Sequence, residues 1–320
     1  MRTGMNQSSS SAADVSVIVS LYNARDTIEK FYTELNNSLK NSGYSVEYIF
    51  VDDASNDGTF DVLHSLMEKD NRVRIVRMRS TFGEAACLDA GLKYSKGDII
   101  VYLSGRVNVD PAKIPDFIDK LKGCSHLVSG WRSPRQDSTL NKVVSKIFNF
   151  LANIFLKQKL HDINSGIFVA KREVLDNISF YGDLYNFIPV LAAEKGYKVT
   201  EEKIAQLPGS FRNSRYPKEY VQRILDIITV IFLTRYTKKP IHFLGFVGTI
   251  FSAVGIVIEG YLFIYRILGM GPIAGRPLLI LGALLLVIGI QMISIGLLGE
   301  MIIFTHAGDV KEYNIEEIIN

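Results

Sequence analysis

The sequence has little of what most ligand-binding chemistries require. Only two cysteines occur, Cys87 and Cys124, and their spacing matches no metal-binding motif. They read as free thiols of a reducing compartment. No GxGxxG turn and no Walker-type loop is present, which removes nicotinamide dehydrogenases and P-loop enzymes. A net charge of +3, with no basic cluster interleaved with aromatics, gives no footprint for nucleic acid. The opening MRTGMNQSSSSAAD has no apolar core and so is no signal peptide. It is expected to be a disordered tail over residues 1–14, with the following domain starting in the cytoplasm.

Charge is the last absence. From Ile241 to Ile303 only Glu259, Arg266, Arg276 and Glu300 carry it. Within that run Ile241–Ile264 and Leu278–Gly299 are each long enough to span a bilayer, because about 20 helical residues cover roughly 30 Å. The alternative is a pair of buried helices in a soluble core, but no compact domain needs two such runs side by side. The link RILGMGPIAGRP, rich in Gly and Pro, predicts a helical hairpin. Arg235, Lys238 and Lys239 precede the first span and mark that side as cytoplasmic. The expectation is a multi-pass protein of the cytoplasmic (inner) membrane, with both termini and the soluble domain in the cytoplasm.

Two further segments have the pattern of interfacial helices. Asn141–Gln158 sets Val143, Val144, Ile147, Phe148, Leu151, Ile154 and Phe155 against Lys142, Lys146, Asn149, Asn153 and Lys157. Val221–Tyr236 sets Gln222, Arg223, Asp226 and Thr229 against a broad apolar face. Either could lie in the headgroup region or pack on its own sheet, since periodicity is the same in both cases.

The remainder alternates strand and helix. Strands are predicted at Val15–Ser20, Tyr48–Val51, Val73–Met78, Ile99–Leu103 and His126–Ser129, with helices at Ala24–Asn41, Thr59–Lys69, Gly83–Ser95 and Pro111–Leu121. That order implies an α/β fold with a mostly parallel sheet covered on both faces. In such sheets ligands bind beyond the carboxyl ends of the strands. The second strand ends in VDDASNDGT, a polar turn that suits a base ring or a ribose and equally suits capping of the helix from Thr59.

Several ordered stretches together resemble family 2 glycosyltransferases of GT-A type: VSVIVSLYNARDTIEKFY, YIFVDDASNDGT, TFGEAACLDAGLKYSKGDIIVYL and DPAKIPDFIDKL. VSGWRSPRQD, FYGDLYNFIPVLAAEKGYKVTE, LTRYTKKPIHFLGFVG and GRPLLILGALLLVIGIQMISIGLLGE narrow this to the polyprenyl-phosphate hexosyltransferases, kin of dolichol-phosphate mannose synthase. The likeness runs from Val15 to Glu300. It implies a GT-A domain over 15–216, a juxtamembrane amphipathic helix over 217–239, two transmembrane helices over 240–304 and a cytoplasmic tail over 305–320. The implied reaction moves a hexose from a UDP- or GDP-linked donor to a polyprenyl phosphate at the membrane, in a chain expected to form homo-oligomers.

Carried over by position, Tyr22, Asn23, Asp52, Asp53 and Ser104 fall at nucleotide contacts and Arg132 near phosphate, and Asp162 stands with Arg132 and Arg106 among the candidate catalytic residues. Ser145 and Lys146 fall on the helix implied to meet the acceptor phosphate, and Ser20 stands where a proline is usual. The resemblance breaks at one place. The family's Asp-x-Asp, which holds Mg²⁺ or Mn²⁺, falls on Ser104–Gly105–Arg106, with Asp110–Pro111 keeping the alignment free of gaps. The His- and Arg-rich stretch expected before SRY is replaced by Gln206–Phe211, leaving Arg212 and Arg215 for the acceptor phosphate. Two readings follow. Arg106 supplies the positive charge itself, bonding bidentately to the diphosphate in a metal-independent transfer. Alternatively, the fold persists as an inactive homologue that binds a lipid phosphate or regulates a partner.

Overall fold

The computed structural model describes residues 13–40, 42–105, 108–134, 160–163, 165–178, 182–207 and 240–306. The chain divides into two compact units, residues 1–227 and 228–320. The predicted interfacial helices at Asn141–Gln158 and Val221–Tyr236 lie outside the described residues.

In the first unit, seven strands form one sheet: β1 (Val15–Leu21), β2 (Val46–Asp52), β3 (Val73–Arg77), β4 (Ile99–Ser104), β5 (Leu127–Arg132), β6 (Ile167–Lys171) and β7 (Val199–Ile204), in the order β3-β2-β1-β4-β6-β5-β7. All pairings are parallel except those of β6, which runs antiparallel to both β4 and β5. β1 and β2 are buried at every position, as a strand covered on both faces must be. The covering helices are α1 (Arg25–Leu39), α2 (Thr59–Lys69), α3 (Glu84–Tyr94), α4 (Ile114–Cys124), α5 (Arg172–Asp176) and α6 (Ile188–Glu194). α1 turns Ile28, Tyr32, Leu35 and Leu39 inward at helical spacing, and the Tyr32 ring meets Tyr48 edge-on at 5.4 Å.

β6 and β7 add to the five predicted strands. β7 reads VTEEKI and is an edge strand with only Val199 and Ile204 buried, so it carries no apolar run to signal it. β6 is five residues long and gives way at once to a charged helical turn.

The second unit is a hairpin of α7 (Pro240–Ile267) and α8 (Pro277–His306), each long and apolar enough to cross a membrane. Only 11% of each apolar window is buried within the chain, which separates the pair from core helices of a soluble protein. The helices meet along small residues. A Cβ at Gly289 would lie 2.5 Å from the Gly248 carbonyl oxygen, and one at Gly255 2.8 Å from that of Gly282. Glycine is required where backbones approach this closely, because close packing, not water exclusion, joins helices in lipid.

Gly289→Leu is therefore expected to destabilise the hairpin by about 1–3 kcal/mol, since backbone cannot yield as a side chain would. Gly260→Ala, with nothing within 4 Å of the added carbon, is the matched neutral change. Thermal unfolding of the detergent-purified chain checks both.

Candidate functional site

The strands of the first unit end side by side. Leu21 pairs with Asp52, Ser20 with Ser104, and Asp52 with Arg77, so four loops leave the sheet at one edge. They frame a cleft of about 490 Å³, whose lining includes Ser20, Tyr22, Asn23, Asp53, Glu84, Ser104 and Gly105. Asn108 and Leu207 close another side, joined by a 2.9 Å hydrogen bond from the Leu207 N–H to the Asn108 carbonyl.

Polar turn residues fix the rim. Asn23 adopts φ 53°, which an asparagine tolerates better than most residues. Its N–H donates to Ser55 Oγ at 2.9 Å, and its Oδ1 accepts from the Asn56 N–H at 3.1 Å. Asp57 accepts from the N–H groups of Arg25 and Thr59 and from the Thr59 hydroxyl. Burial pushes the Asp57 carboxyl up, but these hydrogen bonds outweigh it and hold the group below its ordinary value. The loops after β1 and β2 are thus tied together, leaving Tyr22 48% exposed at the cleft.

The two adjacent aspartates do different work. Asp52 is fully buried; Oδ1 accepts from the Ser55 N–H at 3.1 Å, while Oδ2 lacks a hydrogen bond and lies 3.7 Å from Arg77 Nε. It does not line the cleft. Asp53 does, and its two oxygens accept from the N–H groups of Phe82 and Gly83 at 2.8 and 3.0 Å. Asp53 thereby anchors the loop that starts α3.

The composition of the strands held a further signal that the motif reading passed over. Ser20 and Tyr102 are hydroxyls within buried strands, and buried hydroxyls need an acceptor. That acceptor is Glu84, buried in the first turn of α3, whose Oε2 takes hydrogen bonds from both. The Gly105 N–H also donates to Ser20 Oγ, at 3.2 Å. Burial, then the Glu84 charge, pushes the Tyr102 phenol well above its ordinary value, so it stays a donor. One carboxylate joins β1, β4 and α3 beneath the cleft.

The groups present do not fit a divalent metal. Ser104 brings a hydroxyl where the family pattern has a carboxylate, and any Cβ at position 105 would collide with the Ser20 carbonyl oxygen. Asp53 and Glu84 bond within the fold, and no group of three or more His, Cys, Asp or Glu among the described residues could hold a metal ion.

Arg132 and Asp162 are brought together, and neither is among the residues that line the cleft. The guanidinium grips the carboxylate through Nε–Oδ2 at 2.6 Å and Nη2–Oδ1 at 2.9 Å, with exposures of 8% and 1%. Glu201 supports them by accepting from the N–H groups of His161 and Asp162. The His161 ring stacks on Trp131 at 4.1 Å, and Lys203 lies over the same indole at 4.7 Å. Arg106, Ser145, Lys146, Arg212 and Arg215 lie outside the described residues.

With this geometry fixed, comparison with known proteins is direct. Residues 16–179, about half of the chain, match the model of glycosyl transferase family 2. The chain belongs to that family. This family 2 glycosyltransferase is 28% identical over 302 residues to a dodecaprenyl-phosphate galacturonate synthase of Rhizobium johnstonii, covering 92% of this chain and 89% of that one. It is 25% identical over 311 residues to an undecaprenyl-phosphate 4-deoxy-4-formamido-L-arabinose transferase of Salmonella typhimurium, covering 95% and 93%. Among solved structures, glucosyl-3-phosphoglycerate synthase from Mycobacterium tuberculosis superposes with a TM-score of 0.54 at 20% identity, over 69% of this chain and 80% of that one. The last likeness establishes the GT-A fold.

Asp162→Asn in this glycosyltransferase is expected to cost about 3–5 kcal/mol, because it removes the charge of the carboxylate that the buried guanidinium grips at two points. The double change Arg132→Met with Asp162→Leu should cost less than the single one. Denaturant unfolding in detergent distinguishes the two; equal losses would show that the pair is not an isolated buried couple.

Proposed function

We propose that this chain transfers a hexose from a UDP- or GDP-linked donor to a polyprenyl phosphate at the cytoplasmic face of the membrane, without a divalent metal. The observation that carries the reading is the extent of the two relatives. Both act on polyprenyl phosphates, and each aligns with more than nine-tenths of this chain. That stretch takes in the apolar hairpin as well as the sheet.

In this reading the nucleotide occupies the cleft at the sheet edge. Tyr22 offers an exposed ring to the base, Asn23, Asp53 and Ser104 line the same cleft, and Asp52 supports the rim from below. An oxygen of the lipid phosphate attacks the anomeric carbon, the bond to the diphosphate breaks, and the nucleoside diphosphate leaves with the electron pair. The nucleophile is already an anion, so no general base is needed; charge on the leaving group must be balanced. Arg106, next to Gly105 at the end of β4, provides that charge as a fork matched to phosphate. Arg132 and Asp162 act through the strand end they hold. Ser145, Lys146, Arg212 and Arg215 meet the acceptor phosphate, and both termini lie in the cytoplasm, with copies of the chain associating in the membrane.

One feature favours this over the inactive reading. The unusual Ser20 donates to Glu84 and accepts from the N–H of Gly105, within the very stretch where the metal motif is missing. A proline at position 20 has no hydroxyl and could make neither bond. The hydroxyl that replaces the usual proline is thus bonded into the floor of the cleft, as a site kept in working order requires.

Calorimetric titration of the purified chain with UDP, GDP and their sugar conjugates is expected to give equal affinity in Mn²⁺ and in EDTA. Arg106→Ala is expected to weaken it about tenfold to a hundredfold, the scale of a lost charged hydrogen bond. A metal requirement would overturn the role of Arg106, and absence of nucleotide binding under every condition would overturn the transferase reading.

A further inference from the structure

We propose that the outward face of α8 is a contact between copies of this chain, centred on Gln291. On this face Leu284, Val287, Gln291, Ser294, Leu298 and Met301 follow one another at alternating spacings of three and four, and all are exposed. That spacing is the seam of a helix that packs along another helix. The opposite face is already used, because Gly282, Gly289 and Gly296 recur every seventh residue against α7.

Gln291 makes the seam more than an apolar surface. The apolar span runs from Pro277 to Ile303. At 1.5 Å per residue Gln291 stands about 21 Å from its start and about 18 Å from its end, near the middle of the hydrocarbon. Its side chain is exposed and forms no hydrogen bond among the described residues. Lipid tails supply no donor or acceptor, and a polar group left unbonded in such a medium is costly. The chemistry selects the occupant. An amide carries both a donor and an acceptor, so the same amide from a second copy satisfies both, which a charged or purely apolar partner cannot. A single polar residue within a seam also sets register between like helices.

The inference rests on α8 crossing a membrane, as the proposed function requires. The test uses the full chain with Cys87→Ser and Cys124→Ser, carrying either Ser294→Cys, on the seam with Gln291 kept, or Val257→Cys. Val257 lies on α7 and is 70% exposed. Oxidation in membranes is expected to link copies through position 294 at least tenfold more than through 257. In a second measurement on the native-cysteine background, Gln291→Leu should weaken association by about threefold to thirtyfold, with Gln291→Asn restoring part of it. The readout is mass in detergent. Equal or absent linking in membrane-extracted protein, or an unchanged mass in Gln291→Leu, overturns the contact and leaves the transferase reading untouched. Failure of the chain to partition into membranes overturns both.

Discussion

The arrangement of the cleft depends on how closely β1 and β4 meet at their carboxyl ends. Position 105 sits so near the Ser20 carbonyl that only hydrogen fits there. Ser20 answers with its hydroxyl, accepting the Gly105 N–H and donating to Glu84. This draws α3 onto the ends of both strands, and Asp53 anchors the loop from which α3 starts. The cleft floor is therefore a closed set of hydrogen bonds in which each buried polar group answers another, the condition under which such networks hold one geometry.

That closure decides the electrostatics. Three carboxylates of the cleft lining have partners inside the protein: Glu84 with two hydroxyls, Asp53 with two backbone N–H groups, Asp57 with three donors. Carboxylates so bonded stabilise the fold but offer little to a cation from solution. A diphosphate entering such a cleft needs positive charge from the chain. Arginine suits this better than lysine, because its planar fork meets two phosphate oxygens at once.

Much of the fold was legible in the sequence because alternating apolar strands and amphipathic helices state their own period. β1 to β5 follow from runs such as VSVIVS and IIVYL, whose burial leaves no other reading. β7 was silent because an edge strand can be polar. The rim of the cleft was legible through its turn residues, and Tyr22, Asn23, Asp53 and Ser104 do share one cleft. Glu84 was not, since an acid in the first turn of a helix is ordinary; its meaning comes from two hydroxyls 64 and 18 residues away. The bond between Arg132 and Asp162 was equally hidden, since it joins positions 30 residues apart that no local pattern relates.

The hairpin poses the complementary problem. At the sheet's cleft edge, Ser20, Tyr102 and Asp53 are satisfied by neighbours in the same unit. In α8 the small residues resolve one face against α7, and among the described residues no further helix of this unit covers the other. Water can complete an exposed amide on a soluble surface, but nothing in hydrocarbon can. Gln291 therefore marks where the fold of a single chain stops being sufficient. Helices that pair with their copies tilt less freely than a lone hairpin, because the tilt of a membrane helix is set by the helices packed against it.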